Sequence, residues 1–170
     1  NVVWGSSFKM MLEEYKIMDN FLDPHYAFYM QIQFLHTPHV FENVSSATFQ
    51  EEGKRLYSIQ QPDKHVLNQA IKFKIETIFR VVIKNINVNI QHKGMDCDLH
   101  TDPFDYTFLY MLSPTPKDDS GKFILENKED ISYIHNRLIY FKAHLPHKGL
   151  SFSDPYTPRM TVAFRSELPK

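Results

Sequence analysis

A chain of 170 residues has the length of one domain, and 42% hydrophobic with 23% charged residues is enough to bury a core and too apolar for a disordered segment. Nineteen Lys and Arg against 20 Asp and Glu leave a formal net charge of −1, which excludes a global field for nucleic acid or an anionic membrane; a polyanion would need a local patch. The single cysteine, Cys97, excludes an internal disulfide and a multi-thiolate metal site, and the five glycines form neither GxGxxG nor GxxxxGK[ST].

No run approaches the ~18–20 apolar residues of a membrane helix, and Asn1 to Phe8 lack the basic and then apolar plan of a signal peptide. The expectation is a soluble, cytoplasmic protein of a reducing compartment with no membrane partner. The first residue is not Met, so the expectation is numbering that starts inside a longer gene product or a trimmed chain.

Tyr15 to Asp19 predicts a strand. Asp23-Pro24 supplies an N-cap and a proline at the first helical position, and with Tyr26, Phe28, Tyr29 and Ile32 predicts a helix to about Leu35. A second helix is predicted from Pro62-Asp63, with Val66, Leu67, Ala70, Ile71, Ile75, Ile78 and Phe79 forming one apolar face that must lie against something flat. After Arg80 the period changes. Ile86, Val88 and Ile90 alternate with Asn85, Asn87, Asn89 and Gln91, the pattern of a half-buried strand with an amide-rich face. Asn85 and Asn87 are read as solvated. Further strands are predicted over Tyr106 to Leu112, Lys122 to Glu126, Arg137 to Lys142 and Arg159 to Arg165, separated by turn-rich stretches over Ser113 to Gly121 and Ala143 to Pro158.

No crossover helices separate those last strands, so a jelly-roll is favoured over a parallel sheet. The fold class is mainly β with α+β character, a double-stranded β-helix with N-terminal helices packed against one sheet. One domain covers 1–170, with a helical lead-in over about 1–80 and a barrel core over about 81–166.

The chemistry starts at His100-Thr101-Asp102. A His-x-Asp pair alone is weak, because nine histidines and many acids make a chance pair common. This one follows the amide-faced strand and a loop at Gly94, and it precedes another strand. His147 comes after Asn136-Arg137-Leu138-Ile139-Tyr140-Phe141, and Arg159-Met160-Thr161 opens the last strand. Two imidazoles and one carboxylate suit a facial non-haem Fe(II) site, which leaves coordination positions open for cosubstrate and oxygen. Arg159 offers a planar fork for a carboxylate and stays charged in a partly dry pocket, and Thr161 lies on the same side of the strand.

The order of these parts resembles the Fe(II)- and 2-oxoglutarate-dependent oxygenases, most closely the prolyl-4-hydroxylase-like branch. The likeness runs from Tyr15 to Arg165. It includes the entry Met18-Asp19-Asn20-Phe21-Leu22-Asp23-Pro24, the run Thr107 to Ser113, and Ser120-Gly121 where the branch often has Gly-Gly. The resemblance implies His100, Asp102 and His147 as iron ligands and catalytic centre, with Arg159 on the distal carboxylate of 2-oxoglutarate and Thr161 assisting it. It also implies cosubstrate contacts from Gln91, where relatives often carry a tyrosine so that an amide would replace a phenol, and from the face of Thr107, Leu109 and Met111. Ordinary core packing is the alternative for that face. Fe(2+), 2-oxoglutarate and O2 are the implied cofactors, with ascorbate an optional reductant. The implied substrate is a peptide side chain or a small amino-acid-like molecule, hydroxylated as 2-oxoglutarate becomes succinate and CO2. Asp102 favours hydroxylation over halogenation, since the halogenating members lack the carboxylate.

His144, three residues before His147, is the rival third ligand and is read as a loop residue; Cys97 and Asp98 are read as bystanders. Other functions stay open. Arg159 and Arg165 fit the Arg-x5-Arg spacing of nucleic-acid dealkylating dioxygenases, against which the balanced charge stands. A non-catalytic barrel used as a binding module, or a zinc site, is the remaining alternative.

Overall fold

The computed structural model describes residues 13–44 and 55–169, so the Asn1 to Phe8 stretch lies outside the described residues. The elements in chain order are β1 (Tyr15–Met18), α1 (Pro24–His36), β2 (His39–Val44), β3 (Arg55–Ile59), α2 (Val66–Phe79), β4 (Val82–Gln91), β5 (Tyr106–Met111), β6 (Phe123–Leu125), β7 (Leu138–Lys142), β8 (His147–Gly149) and β9 (Arg159–Glu167). Seven strands form an antiparallel sheet in the order β1-β7-β5-β9-β4-β3-β2, and β6 pairs with β8 in a second, two-stranded sheet. This is the expected jelly-roll, with a large and a small sheet.

Helix α1 starts as its sequence dictates: Asp23 Oδ1 accepts from the backbone N–H of His25 at 2.9 Å and of Tyr26 at 3.3 Å, with Pro24 in the first turn. Helix α2 begins at Val66, later than Pro62-Asp63 predicts, and its N-cap, His65, makes no side-chain cap bond. Its buried stripe is narrower than the periodicity predicts, since Leu67, Ile71, Ile75 and Phe79 are buried while Val66 is 75% exposed. The lead-in also gives β2 and β3 to the large sheet, strands that its sequence pattern did not predict.

Two cores flank the large sheet. On the helical side, Met30 and Phe34 of α1 and Ile71, Ile75 and Phe79 of α2 pack with Ile86, Val88 and Ile90 of β4, Phe108 of β5, and Met160, Val162 and Phe164 of β9. On the other side a smaller cluster joins the sheets through Leu109, Met111, Phe123, Phe141, Phe152 and Ala163. Strand β5 is therefore buried on both faces, which explains why its run reads as continuously apolar rather than alternating. The strands of the large sheet send their other parity of side chains toward the small sheet, and Gln91, Thr107, Arg159, Thr161 and Arg165 among them line the candidate site, to which β8 brings His147 and the segment between β4 and β5 brings His100 and Asp102.

Candidate metal centre and cosubstrate cavity

His100 and His147 are held together by backbone before any metal is considered. The N–H of His100 donates to the carbonyl of His147 at 3.0 Å, the reverse bond is 2.8 Å, and the ring centroids are 4.4 Å apart. Nδ1 of His100 lies 2.8 Å from the Asp98 carbonyl, and Nδ1 of His147 lies 2.8 Å from the Leu145 carbonyl. A carbonyl only accepts, so each ring carries its proton on Nδ1 and leaves Nε2 as the free donor of electrons. Asp102 is fixed by its own N–H, which donates to the Ala143 carbonyl at 2.8 Å, and its Oδ2 accepts from the Thr107 hydroxyl at 2.8 Å. His147 Nε2 is 3.6 Å from that same Oδ2. Ligand atoms of His100, Asp102 and His147 all lie within 4.8 Å of one another, and no other such cluster occurs among the described residues.

The protonation states suit a cation. Burial pushes His147 down to about 4, and the neighbouring His100 acts in the same direction, so the ring is neutral near pH 7 as a ligand must be. Its ring packs 4.6 Å from that of Phe141 and 5.7 Å from that of Phe123, which is the source of the burial. Burial alone would raise the Asp102 carboxyl, but the Arg165 guanidinium and the Thr107 hydroxyl outweigh it and hold the group below the ordinary carboxylate range. Arg165 Nε stands 2.9 Å from Asp102 Oδ1, off the line of its N–H bond, so the contact is an ion pair rather than an aligned hydrogen bond.

Arg159 opens β9 and is fully buried. Its Nε donates to the Gly121 carbonyl at 3.0 Å, its Nη1 to Gln91 Oε1 at 2.6 Å, and its guanidinium lies 5.2 Å from the Tyr133 ring centre. Nη2 is buried with no protein partner. Two glycines make the slot. A Cβ on Gly149 would stand 2.8 Å from Arg159 Nη1, and Gly121, at φ +75°, would drive a Cβ to 2.3 Å from the Phe152 ring. A buried charge with an orphaned donor costs about 3–5 kcal/mol unless an anion meets it, and a carboxylate fits that donor.

One cavity takes in His100, Asp102, His147, Arg159, Thr161 and Thr107, so the sequence-predicted ligands, the guanidinium and its threonine are brought together. Leu109 and Ala163 add apolar wall. Met111 departs from expectation: it is packed in the smaller core, where its Sδ accepts from the Ile134 N–H at 3.3 Å, and it does not line the cavity. Gln91 lines the cavity. Its Nε2 donates to the Met95 carbonyl at 2.7 Å and the Gly149 carbonyl at 3.1 Å, so the amide protons are engaged by backbone and the oxygen holds Arg159. His144 is exposed and outside the cluster. Cys97 lines the cavity, and Asp98 acts through its carbonyl on His100.

Sequence reasoning missed Tyr133, whose hydroxyl accepts from the Ser113 N–H at 2.7 Å while its ring lies beside Arg159. Nothing in its surroundings marks it. It also placed Asn85 and Asn87 in solvent, whereas both reach Arg165 on the cavity side, because residues paired across β4 and β9 share a face.

No family model matches the sequence, and no curated protein matches it. Solved structures do. A prolyl hydroxylase from Trichoplax adhaerens, solved with a hypoxia inducible factor oxygen degradation domain peptide fragment, superposes at TM-score 0.69 with 20% identity, covering 94% of this chain and 86% of that one. A Pseudomonas putida prolyl-4-hydroxylase gives TM-score 0.66 at 11% identity over 96% and 97% of the two chains. The non-haem α-ketoglutarate-dependent epimerase SnoN from nogalamycin biosynthesis gives TM-score 0.63 at 10% identity over 91% and 79%. The fold is that of the 2-oxoglutarate/Fe(II) oxygenases. Hydroxylases and an epimerase share it, so this oxygenase fold fixes a scaffold and leaves the reaction to the site. Among the described residues no helix is long and apolar enough to cross a membrane.

Proposed function

We propose that the protein is an Fe(II)- and 2-oxoglutarate-dependent dioxygenase of the prolyl-hydroxylase-like type that hydroxylates a peptide side chain or a small amino-acid-like substrate. The observation that carries this reading is one cavity holding a two-histidine, one-carboxylate set together with a buried arginine whose Nη2 has no partner. His100 and His147 through Nε2, and Asp102 through Oδ2, would hold the iron; Arg159 would hold the distal carboxylate of 2-oxoglutarate, with Thr161 beside it. Iron, O2 and 2-oxoglutarate, when bound, supply the oxidation, in which one oxygen atom enters succinate as CO2 leaves and the other enters a C–H bond of the substrate.

The chain's residues supply position, charge and exclusion of water. The paired backbone bonds between His100 and His147 fix the two rings without a metal, so little reorganisation is needed on loading. Gln91 acts on the cosubstrate through Arg159, by orienting the guanidinium. Leu109, Phe123, Phe141 and Ala163 keep the cavity wall apolar and strengthen each charge contact inside it. A peptide substrate is supported by the likeness to a prolyl hydroxylase solved with a peptide fragment. Against nucleic-acid dealkylation stand the net charge of −1 and the engagement of Arg165 by Asp102 and Asn85.

The test is anaerobic loading with Fe(II) followed by 2-oxoglutarate. A charge-transfer absorption is expected on addition of 2-oxoglutarate, and succinate on admission of air with ascorbate present. Absence of both would leave a binding module or a zinc protein as the function.

A further inference from the structure

Arg165 is the one cavity-facing charge of β9 that the proposed reaction does not use. It lies opposite Asn85 on β4 and Thr107 on β5, and its side chain is 15% exposed. Nη1 donates to Asn85 Oδ1 at 2.9 Å. With the Asn87 amide turned so that its oxygen faces the guanidinium, Nη1 also reaches Asn87 at 2.7 Å, and Asn87 donates to Asn85 Oδ1 at 3.1 Å. The guanidinium is thus backed by two amides and set against one metal-facing carboxylate.

The two oxygens of that carboxylate have different neighbours. Oδ1 sits 2.9 Å from Arg165 Nε, while Oδ2 takes the Thr107 hydroxyl at 2.8 Å and faces His147 Nε2 at 3.6 Å. A carboxylate oxygen has two lone-pair directions, so Oδ2 keeps one for a cation after Thr107 has used the other. A cation drawn to both oxygens would have to approach the guanidinium, where like charges repel.

We infer that Arg165 is a positioning residue that keeps Asp102 a one-oxygen ligand. The inference rests on the proposed metal reading. A six-coordinate ion held by His100, His147 and Oδ2 keeps three open positions, whereas a carboxylate that turned in both oxygens would fill one more. Two of the open positions suit a chelating 2-oxo acid and the third is needed for oxygen, so monodentate ligation is a condition of turnover. The amide row of β4 acts as the backing of this device.

The experiment counts water ligands on Mn(II) bound to the whole protein, from the broadening of its electron paramagnetic resonance lines in 17O-enriched water. The wild-type protein is expected to hold three exchangeable waters, Arg165→Met and Arg165→Gln one fewer, and Arg165→Lys, which keeps a cation beside Oδ1, the wild-type number. A thermal melt of each variant reports its fold; if the methionine variant does not melt cooperatively, the glutamine and lysine variants give the count. Unchanged water number in the uncharged variants would overturn the inference while leaving the metal reading intact. Failure of the wild-type protein to bind Mn(II) would overturn both.

Discussion

Strand β9 has two faces that obey different rules. Met160, Val162 and Phe164 point to the helices and are buried among Ile90, Val88, Phe108 and Phe79, while Arg159, Thr161 and Arg165 point from the same backbone into the cavity. On the first face each buried side chain contributes about 1.5–3 kcal/mol by leaving water. On the second face a fully buried guanidinium keeps an unpartnered Nη2, an arrangement that opposes folding. The difference teaches that the helical face holds the strand in place so that the cavity face can carry charge, and that mutations on the two faces should separate stability from binding.

The largest separation is expected at Asp102. Asp102→Ala should remove Mn(II) binding and 2-oxoglutarate-dependent succinate formation while the thermal melt stays cooperative; metal-dependent succinate from the variant would take Asp102 out of the ligand set. Next is a pH effect on the metal-free protein. The His147 imidazole is held down to about 4 by burial, while the unfolded chain takes its proton near the ordinary value of 6.5. Between those values the unfolded state binds more protons, so stability should fall as pH falls from about 6.5 to about 4, by at most on the order of 3 kcal/mol. Urea midpoints across that window check it, and His147→Leu should flatten the slope; an equal slope in the variant would assign the effect to another group.

A smaller effect is expected at Arg159. Arg159→Met should weaken 2-oxoglutarate binding about 10–100-fold, the loss of one charge-assisted contact, with Mn(II) affinity nearly unchanged and a melting temperature no lower than wild type. Parallel loss of metal and cosubstrate would point to misfolding. The smallest is Ile90→Val on the helical face, which should cost about 0.5–1.5 kcal/mol in unfolding free energy and leave metal affinity unaltered. A change in metal affinity there would show that the faces are coupled through the sheet.

The two-residue alternation in β4 and the order of His100, Asp102, His147 and Arg159 were legible because period and residue chemistry are local properties of a chain. Strands β2 and β3 were not, since His39–Val44 at the sheet edge and Arg55–Ile59 beside it lack the clean alternation of a one-sided strand. The seat of Asn85 and Asn87 could not be read either. A polar face on a strand predicts solvent unless a buried charge lies opposite, and Arg165 arrives from 80 residues away. Met111 fails for a related reason: parity says which side of the sheet a residue faces, and only the packed neighbours say whether it reaches the cavity.

The reciprocal amide pairing of residues 100 and 147 carries a consequence for motion. Both imidazoles hang from one rung joining the HxD loop to β8, so separation of that rung would pull the two rings apart in a single event. Occupation of the cluster by a cation would oppose that opening, and deuterium uptake at these two amides should slow together when metal is added. Local breathing of the small sheet and release of the ion would then be the same movement.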